Sequence, residues 1–340
     1  MKITSVVVEP MPRVRGPRGH LVQLTDELGN VGVGEGAPLP DYSPDDIAGC
    51  PHLLRDLGAR IGEVDDSATA IDRRLAVFAA VLDAAPAARF GLETALLDIL
   101  SHRKKQPISM LLGGKENARV PVNGVIGTDG DVDAWMARAA ALVARGVRVV
   151  KVKVGRSDLD FDREHDALRK LRASLPADIE LRLDANGSFG ECARDRLTAI
   201  ADLAPSYVEE PTHGKSLLTL GACAVPWAVD ESLADASLLD AFLEDSACSV
   251  VILKPAILGG VIRSRKTGIR ARERKIGIVV THLFDGSVGH GAACELALSL
   301  AAPDSLACGL DAYDGLAPSP YLTTPGFVTA SNRIGRGSTA

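Results

Sequence analysis

Lysines and carboxylates occupy matching places in five short apolar runs of this 340-residue chain. VVKVKVG (149–155) carries Lys151 and Lys153, LRLDAN (181–186) carries Asp184 and Asn186, and YVEEP (207–211) carries Glu209 and Glu210. WAVDES (227–232) adds Asp230 and Glu231, and VVILKP (250–255) adds Lys254. Any one of these acids alone is explained as a helix N-cap or a solvated surface group. The joint order, two lysines, three acidic runs, then a lysine near the end of the fifth run, points to one site. Carboxylates converging in one place repel each other unless a cation lies among them. Hard oxygen donors without a Cys or His cluster favour Mg²⁺, or Mn²⁺, over zinc.

The elements that must position these residues follow from periodicity. Alternation in VVKVKVG sends Val150, Val152 and Val154 to one face and both lysines to the other. Eight such β-rich runs recur after residue 120: the five above, with PVNGVIG (121–127), GIVVTHL (277–283) and LACGLD (306–311). Helical stretches separate most of them, including VDAWMARAAALVARG, FDREHDALRKLRASL and GHGAACELALSLAA. The pattern predicts parallel βαβ units closing into a barrel, an α/β fold. A doubly wound open sheet is the alternative, but no GxGxxG follows the first strand. A barrel strand packs one face on helices and turns the other toward the axis, so VVKVKVG has no freely wet face. Its lysines then point inward near the strand's C-terminal end, where barrels of this kind keep their chemistry. Burying ammonium groups is costly unless they are paired or have lowered pKa.

Upstream, residues 1–30 read as a hairpin around the basic loop PRVRGPRGH, and GAPLPDYSPDD as a Pro- and Asp-rich loop. From about 54 to 113 the chain is helical by pattern, in IDRRLAVFAAVLDAA and ARFGLETALLDILSHR. This gives an α+β unit over 1–115 and a barrel over 116–320, with the C-terminal tail free to pack back on the first unit. A net charge of −6 argues against nucleic acid or an anionic membrane as the main partner. The three-valine stretch near the N-terminus is too short for a signal peptide, and no apolar run reaches membrane-spanning length. The six cysteines show neither CxxC pairs nor zinc-like spacing, so they read as reduced thiols of a cytoplasmic protein.

Taken in order, KVK, LDAN, VEEP, VDES and LKP resemble the enolase superfamily in its muconate lactonizing branch. The resemblance covers nearly the whole chain and implies a modified (β/α)7β TIM-like barrel with an α+β N-terminal capping domain. It implies Asp184, Glu209 and Asp230 as magnesium ligands, with Lys153 and Lys254 facing each other across a small-molecule carboxylate substrate. Removal of a proton next to a carboxylate gives an enediolate, whose charge a divalent cation stabilises. Lys153 would be the base, its pKa lowered by Lys151, Lys254 and the metal, and Asn186 would orient ligands.

Further segments are similar to the o-succinylbenzoate synthase family: GAPLPDYSPDD, CGLDAYDGL, and HLFDGSVG with Asp285. That likeness implies a magnesium-dependent carbon–oxygen lyase of menaquinone biosynthesis. Cycloisomerases, dipeptide epimerases and N-succinylamino acid racemases share the lysines and acids and stay open, as does a homo-oligomer. His282 stands where mandelate-racemase-like members keep a catalytic histidine. Those members pair it with an aspartate where this chain has Lys254, so His282 reads as a substrate-binding, supporting or structural group. Arg13, Arg15 and Arg18 lie where the superfamily's capping loop closes, and Arg15 is the candidate for a second substrate carboxylate.

Overall fold

The computed structural model describes residues 1–11, 18–127, 132–155 and 160–330. Seven parallel strands form one continuous sheet: Asn123–Ile126, Val149–Lys153, Glu180–Asp184, Val208–Glu209, Trp227–Val229, Val250–Leu253 and Gly277–Val280. They neighbour one another in chain order, as right-handed βα repeats do. The eighth run contributes two bridges rather than a strand. Cys308 pairs in parallel with Val122, and Gly309 with Thr281, so the first and seventh strands meet through it and the barrel closes. The Asn123 N–H donates to the Cys308 carbonyl at 2.9 Å, and the Gly309 N–H to the Val280 carbonyl at 2.9 Å.

Strand two behaves as its alternation requires. Val150 and Val152 are wholly buried against the helical layer, while Lys151 lies level with Arg182, and Lys153 with Asp184, on strand three. Asp184 is in turn level with Glu209 on strand four. Register partners in a parallel pair share a face, so this row of charged groups lines the barrel interior.

The first unit is a three-stranded antiparallel sheet, Ile3–Met11, Gly19–Asp26 and Val31–Gly36, carrying helices Cys50–Arg60 and Pro86–Lys104. The predicted hairpin gains a third strand because its second arm turns at residues 27–30. Asp26 Oδ1 accepts the Leu28 and Asn30 N–H groups at 2.9 and 2.8 Å, and Gly29 takes φ +80°. The predicted helix IDRRLAVFAAVLDAA is likewise divided, into Ala68–Ala76 and Ala79–Leu82. Phe78 leaves helical geometry there, with the Arg60 and Arg74 guanidinium groups 5.6 and 5.3 Å from its ring centre.

Helix Pro86–Lys104 is the hinge of the packing. Every residue from Pro86 to Ser101 is buried, since the helix lies between the antiparallel sheet and the barrel. Pro86 starts it, Asp45 accepts the Ala87 and Ala88 N–H groups, and His102, Arg103 and Lys104 complement the dipole at its end. Its buried charges are all engaged. Asp98 accepts the Val33 N–H at 2.9 Å. Arg89 binds Glu93 at 2.9 Å, Asp72 at 2.6 Å, and the Gly259 carbonyl beyond strand six. Glu93 also accepts the Ile262 N–H at 2.9 Å. Two more buried carboxylates cross between the units and their surroundings. Glu35 accepts the Gly286 and Gly289 N–H groups at 2.6 and 2.8 Å, and Glu295 accepts the Ser109 N–H at 2.6 Å.

The tail strand Phe327–Thr329 pairs antiparallel with Arg119–Pro121. All six cysteines are free thiols, four of them buried. Among the described residues, no helix is long and apolar enough to cross a membrane.

Glycine sets how closely sheet and helix approach. A Cβ on Gly34 would lie 1.8 Å from the Gly91 carbonyl oxygen, and one on Gly29 would meet nothing within 4 Å. Gly34→Ala is therefore expected to cost about 3 kcal/mol by overpacking against backbone. Gly29→Ala is expected to cost about 1 kcal/mol, from its left-handed conformation alone. Urea midpoints of the two variants check this, and equal losses would contradict the packing argument.

Candidate active site

The C-terminal ends of strands two to six bring the sequence-predicted lysines and acids together. Lys151 Nζ lies 3.1 Å from Asp184 Oδ2 and 3.0 Å from Glu209 Oε1. Lys153 Nζ donates to Asn186 Oδ1 at 2.9 Å and stands 3.8 Å from Asp184 Oδ2. On the far side, Lys254 Nζ lies 2.5 Å from Asp230 Oδ2 and 3.8 Å from Glu231 Oε1. Lys153 is the more open lysine, its side chain 31% exposed against 12% for Lys151 and 11% for Lys254.

Burial opposes the charge on Lys151, but Asp184 and Glu209 outweigh it and hold its pKa well above the usual range. Lys254 is raised in the same way, with Asp230 and Glu231 outweighing its burial. Asp184 is held below the ordinary carboxylate range, because Lys151, Lys153 and Lys254 overcome its desolvation. Asp230 goes the other way. Burial and the neighbouring Glu231 and Glu209 carboxylates push it well above its ordinary value, against the pull of Lys254.

This crowding gives a test of whether the site suits a hard cation. Among the described residues, no three Asp, Glu, His or Cys side chains are already gathered as a ligand set. The carboxylates turn to ammonium groups instead, with Lys151 between Asp184 and Glu209. Yet Asp230 Oδ1 is buried with no hydrogen-bond partner, and the Glu231 and Glu209 carboxylates repel the Asp230 charge. Buried, mutually repelling oxygens with unmet acceptor capacity are the donor chemistry that a hard divalent cation satisfies.

Local backbone holds the acids in place. Asn186 and Glu210 take left-handed φ values of 41° and 44°, uncommon for residues with a side chain. Both follow a strand end and turn the chain toward the next one: the Gly187 N–H donates to the Glu210 carbonyl at 2.6 Å, and the Glu210 N–H to the Ala228 carbonyl at 2.9 Å. The Glu210 carboxylate accepts the Asp230 N–H at 2.7 Å, the Ser232 N–H at 3.1 Å, and the Ser232 hydroxyl. Glu210 thus fixes the turn that presents Asp230. Its adjacency to Glu209 in YVEEP is the only sequence signal of that task.

The remaining candidates separate. His282 stacks on Tyr313 with ring centres 4.3 Å apart and accepts the Phe284 N–H at 3.0 Å through Nδ1. Asp285 is turned into its own loop, where it accepts the Leu283 N–H at 3.0 Å, and its carbonyl takes the Tyr313 hydroxyl. It supports that loop. Arg15 and Arg13 lie outside the described residues. Tyr42, which sequence reasoning did not single out, reaches the site from the GAPLPDYSPDD loop. Its ring centre is 5.8 Å from Lys254 Nζ. Leu39 of the same loop packs with Ile257 and Leu283, holding the loop on the barrel mouth. No spacing rule marks a lone loop tyrosine in advance.

Burial pushes the His282 pKa down to about 3, aided by the charges of Lys151 and Lys254 and by His290. In the unfolded chain the same imidazole titrates near about 6.5. Between those values the unfolded chain binds the proton and the fold does not, so stability must fall as pH drops through that window. His282→Gln removes this loss. Urea midpoints at about pH 7 and about pH 5 should converge for the variant more than for the parent, and parallel losses would refute the assignment.

Comparisons with known proteins agree on the family. Residues 134–340 match the family model described as Enolase C-terminal domain-like. An o-succinylbenzoate synthase of Desulfotalea psychrophila is 33% identical over 225 residues, 62% of this chain and 58% of that protein. Another, from Thermosynechococcus vestitus, is 28% identical over 335 residues, 94% of this chain and 91% of that protein. The crystal structure of a dipeptide epimerase from Methylococcus capsulatus complexed with Mg ion superposes with a TM-score of 0.84 at 25% identity, covering 98% of both chains. The chain belongs to the enolase superfamily, in its muconate lactonizing subgroup.

Proposed function

We propose that this enzyme is an o-succinylbenzoate synthase. It would remove water from 2-succinyl-6-hydroxy-2,4-cyclohexadiene-1-carboxylate to give o-succinylbenzoate, in menaquinone biosynthesis in the cytoplasm. The observation that carries the reading is the pair of lysines on opposite sides of one carboxylate cluster, Lys153 beside Asp184 and Lys254 beside Asp230. Likeness to two o-succinylbenzoate synthases supports the choice of substrate.

Asp184, Glu209 and Asp230 would hold Mg²⁺, or Mn²⁺ in its place. When bound, the cation supplies positive charge to the substrate carboxylate and so makes its α-proton more acidic. Lys153, the more exposed lysine, takes that proton from the ring carbon bearing the carboxylate. The electron pair left behind forms an enediolate, which Lys254 stabilises as a cation from the other side. As the ring π-system re-forms, the bond from carbon to the hydroxyl breaks. Lys153 returns its proton to that oxygen on the same face, and water leaves. Lys151, paired with both Asp184 and Glu209, stays protonated and offsets the charge of those carboxylates.

Epimerisation of dipeptides is the second reading, favoured by the full-length likeness to the M. capsulatus dipeptide epimerase. There the two lysines would exchange an α-proton on opposite faces, with no leaving group. N-succinylamino acid racemisation and muconate cycloisomerisation use the same first step.

Turnover of the cyclohexadiene, followed by ultraviolet absorbance with Mg²⁺, is expected in the parent. Lys153→Ala should lower kcat by about 10³-fold or more, while its far-ultraviolet circular dichroism stays unchanged. EDTA should abolish turnover, and added Mg²⁺ should restore it. A parent inert on the diene that exchanges α-protons of dipeptides or N-succinylamino acids in D₂O would replace the synthase by an epimerase or racemase.

A further inference from the structure

The two lysines are joined by a continuous set of polar contacts that no metal ligand completes. Lys153 Nζ donates to Asn186 Oδ1 at 2.9 Å, Asn186 Nδ2 donates to Glu231 Oε1 at 2.8 Å, and that same oxygen lies 3.8 Å from Lys254 Nζ. The path runs from strand two, past the ends of strands three and five, to strand six. Its chemistry leaves no alternative orientation for the amide. An ammonium can only donate and a carboxylate can only accept, so Asn186 must turn its oxygen to Lys153 and its nitrogen to Glu231.

Each station is also fixed from behind. Asn186 holds its left-handed turn while its own N–H donates to Asp184 Oδ1 at 3.2 Å. Glu231 sits between two backbone N–H groups, those of Asp230 and Ser232, which both donate to the buried Glu210 carboxylate. Its side chain is only 20% exposed. Preorganisation of this kind is what lets a side chain hold reacting groups in one geometry.

We infer that Glu231 is a positioning residue: through Asn186 it aims Lys153, and through its charge it holds Lys254 opposite, so one carboxylate sets the spacing between the two lysines. This rests on the roles proposed above for Lys153 and Lys254. It predicts different outcomes for two substitutions. Glu231→Gln keeps an oxygen for the Asn186 amide and loses the charge facing Lys254. Glu231→Ala loses both.

The test combines kinetics with two readouts that need no turnover. In steady-state assays on the diene, Glu231→Ala should lower kcat about 10–100-fold with KM within about twofold, the pattern of a lost transition-state arrangement. Glu231→Gln should recover part of that loss. Mn²⁺ titration followed by electron paramagnetic resonance should give the same affinity in parent and variants. A crystal structure of Glu231→Ala should show the Asn186 amide and the Lys153 ammonium displaced from their present contact. A tenfold or larger loss of Mn²⁺ affinity would overturn the inference by making Glu231 a metal ligand. Parent-like kcat in both variants, or an unmoved Lys153 in the crystal, would also overturn it. If the parent is inert on the diene, the function proposed above fails. The Mn²⁺ titration and the crystal structure then still decide the role of Glu231.

Discussion

Everything at the mouth of this barrel answers to one constraint: like charges are packed together where water is scarce. Asp184, Glu209 and Asp230 are all nearly inaccessible, and three lysines reach into the same space. Isolated ions would not persist there, because the desolvation cost exceeds what any single pair returns. The fold meets the cost by interleaving signs around the barrel, with cations on strands two and six and anions on three, four and five. Asp230 marks where the interleaving falls short, since its burial and the Glu231 and Glu209 carboxylates outweigh the pull of Lys254. The strained turns at Asn186 and Glu210 persist in the same cause, each held by hydrogen bonds that aim an acid inward.

Much of this was legible in the sequence because strands write their faces in alternate residues. VVKVKVG could only be a buried strand with inward lysines once the surrounding runs made a barrel, and Val150, Lys151 and Val152 obey that reading residue by residue. Likewise the acids at strand ends are placed by position alone. What the sequence concealed depends on turns and on distant partners. Nothing local says that Glu210 would curl through positive φ to grip Asp230 and Ser232, or that Asp285 would face its own backbone. The third strand of the first sheet was hidden for a similar reason, since the Asp26 side chain creates a turn in a stretch that otherwise alternates evenly.

The loop around Tyr42 shows how the two units divide the labour. The barrel supplies the lysines and carboxylates, fixed by strand register. The first unit supplies a short loop pinned by Leu39 against Ile257 and Leu283, with an aromatic ring laid toward Lys254. Rigid strands carry the reactive groups, and a loop that tolerates change borders them.

The buried carboxylates that cross between the units have a consequence for how this protein comes apart. Glu35 takes two N–H groups at the start of helix Ser287–Ser299, and Glu93 takes one at the start of helix Val261–Glu273. Pulling the units apart would strip those helix ends of acceptors and leave Arg89 without the Gly259 carbonyl, each loss costing about 1–3 kcal/mol if water cannot replace it. Neither unit then has a comfortable life alone. The two should melt in a single cooperative transition, and an excised barrel would be a frayed, aggregation-prone fragment rather than a smaller enzyme.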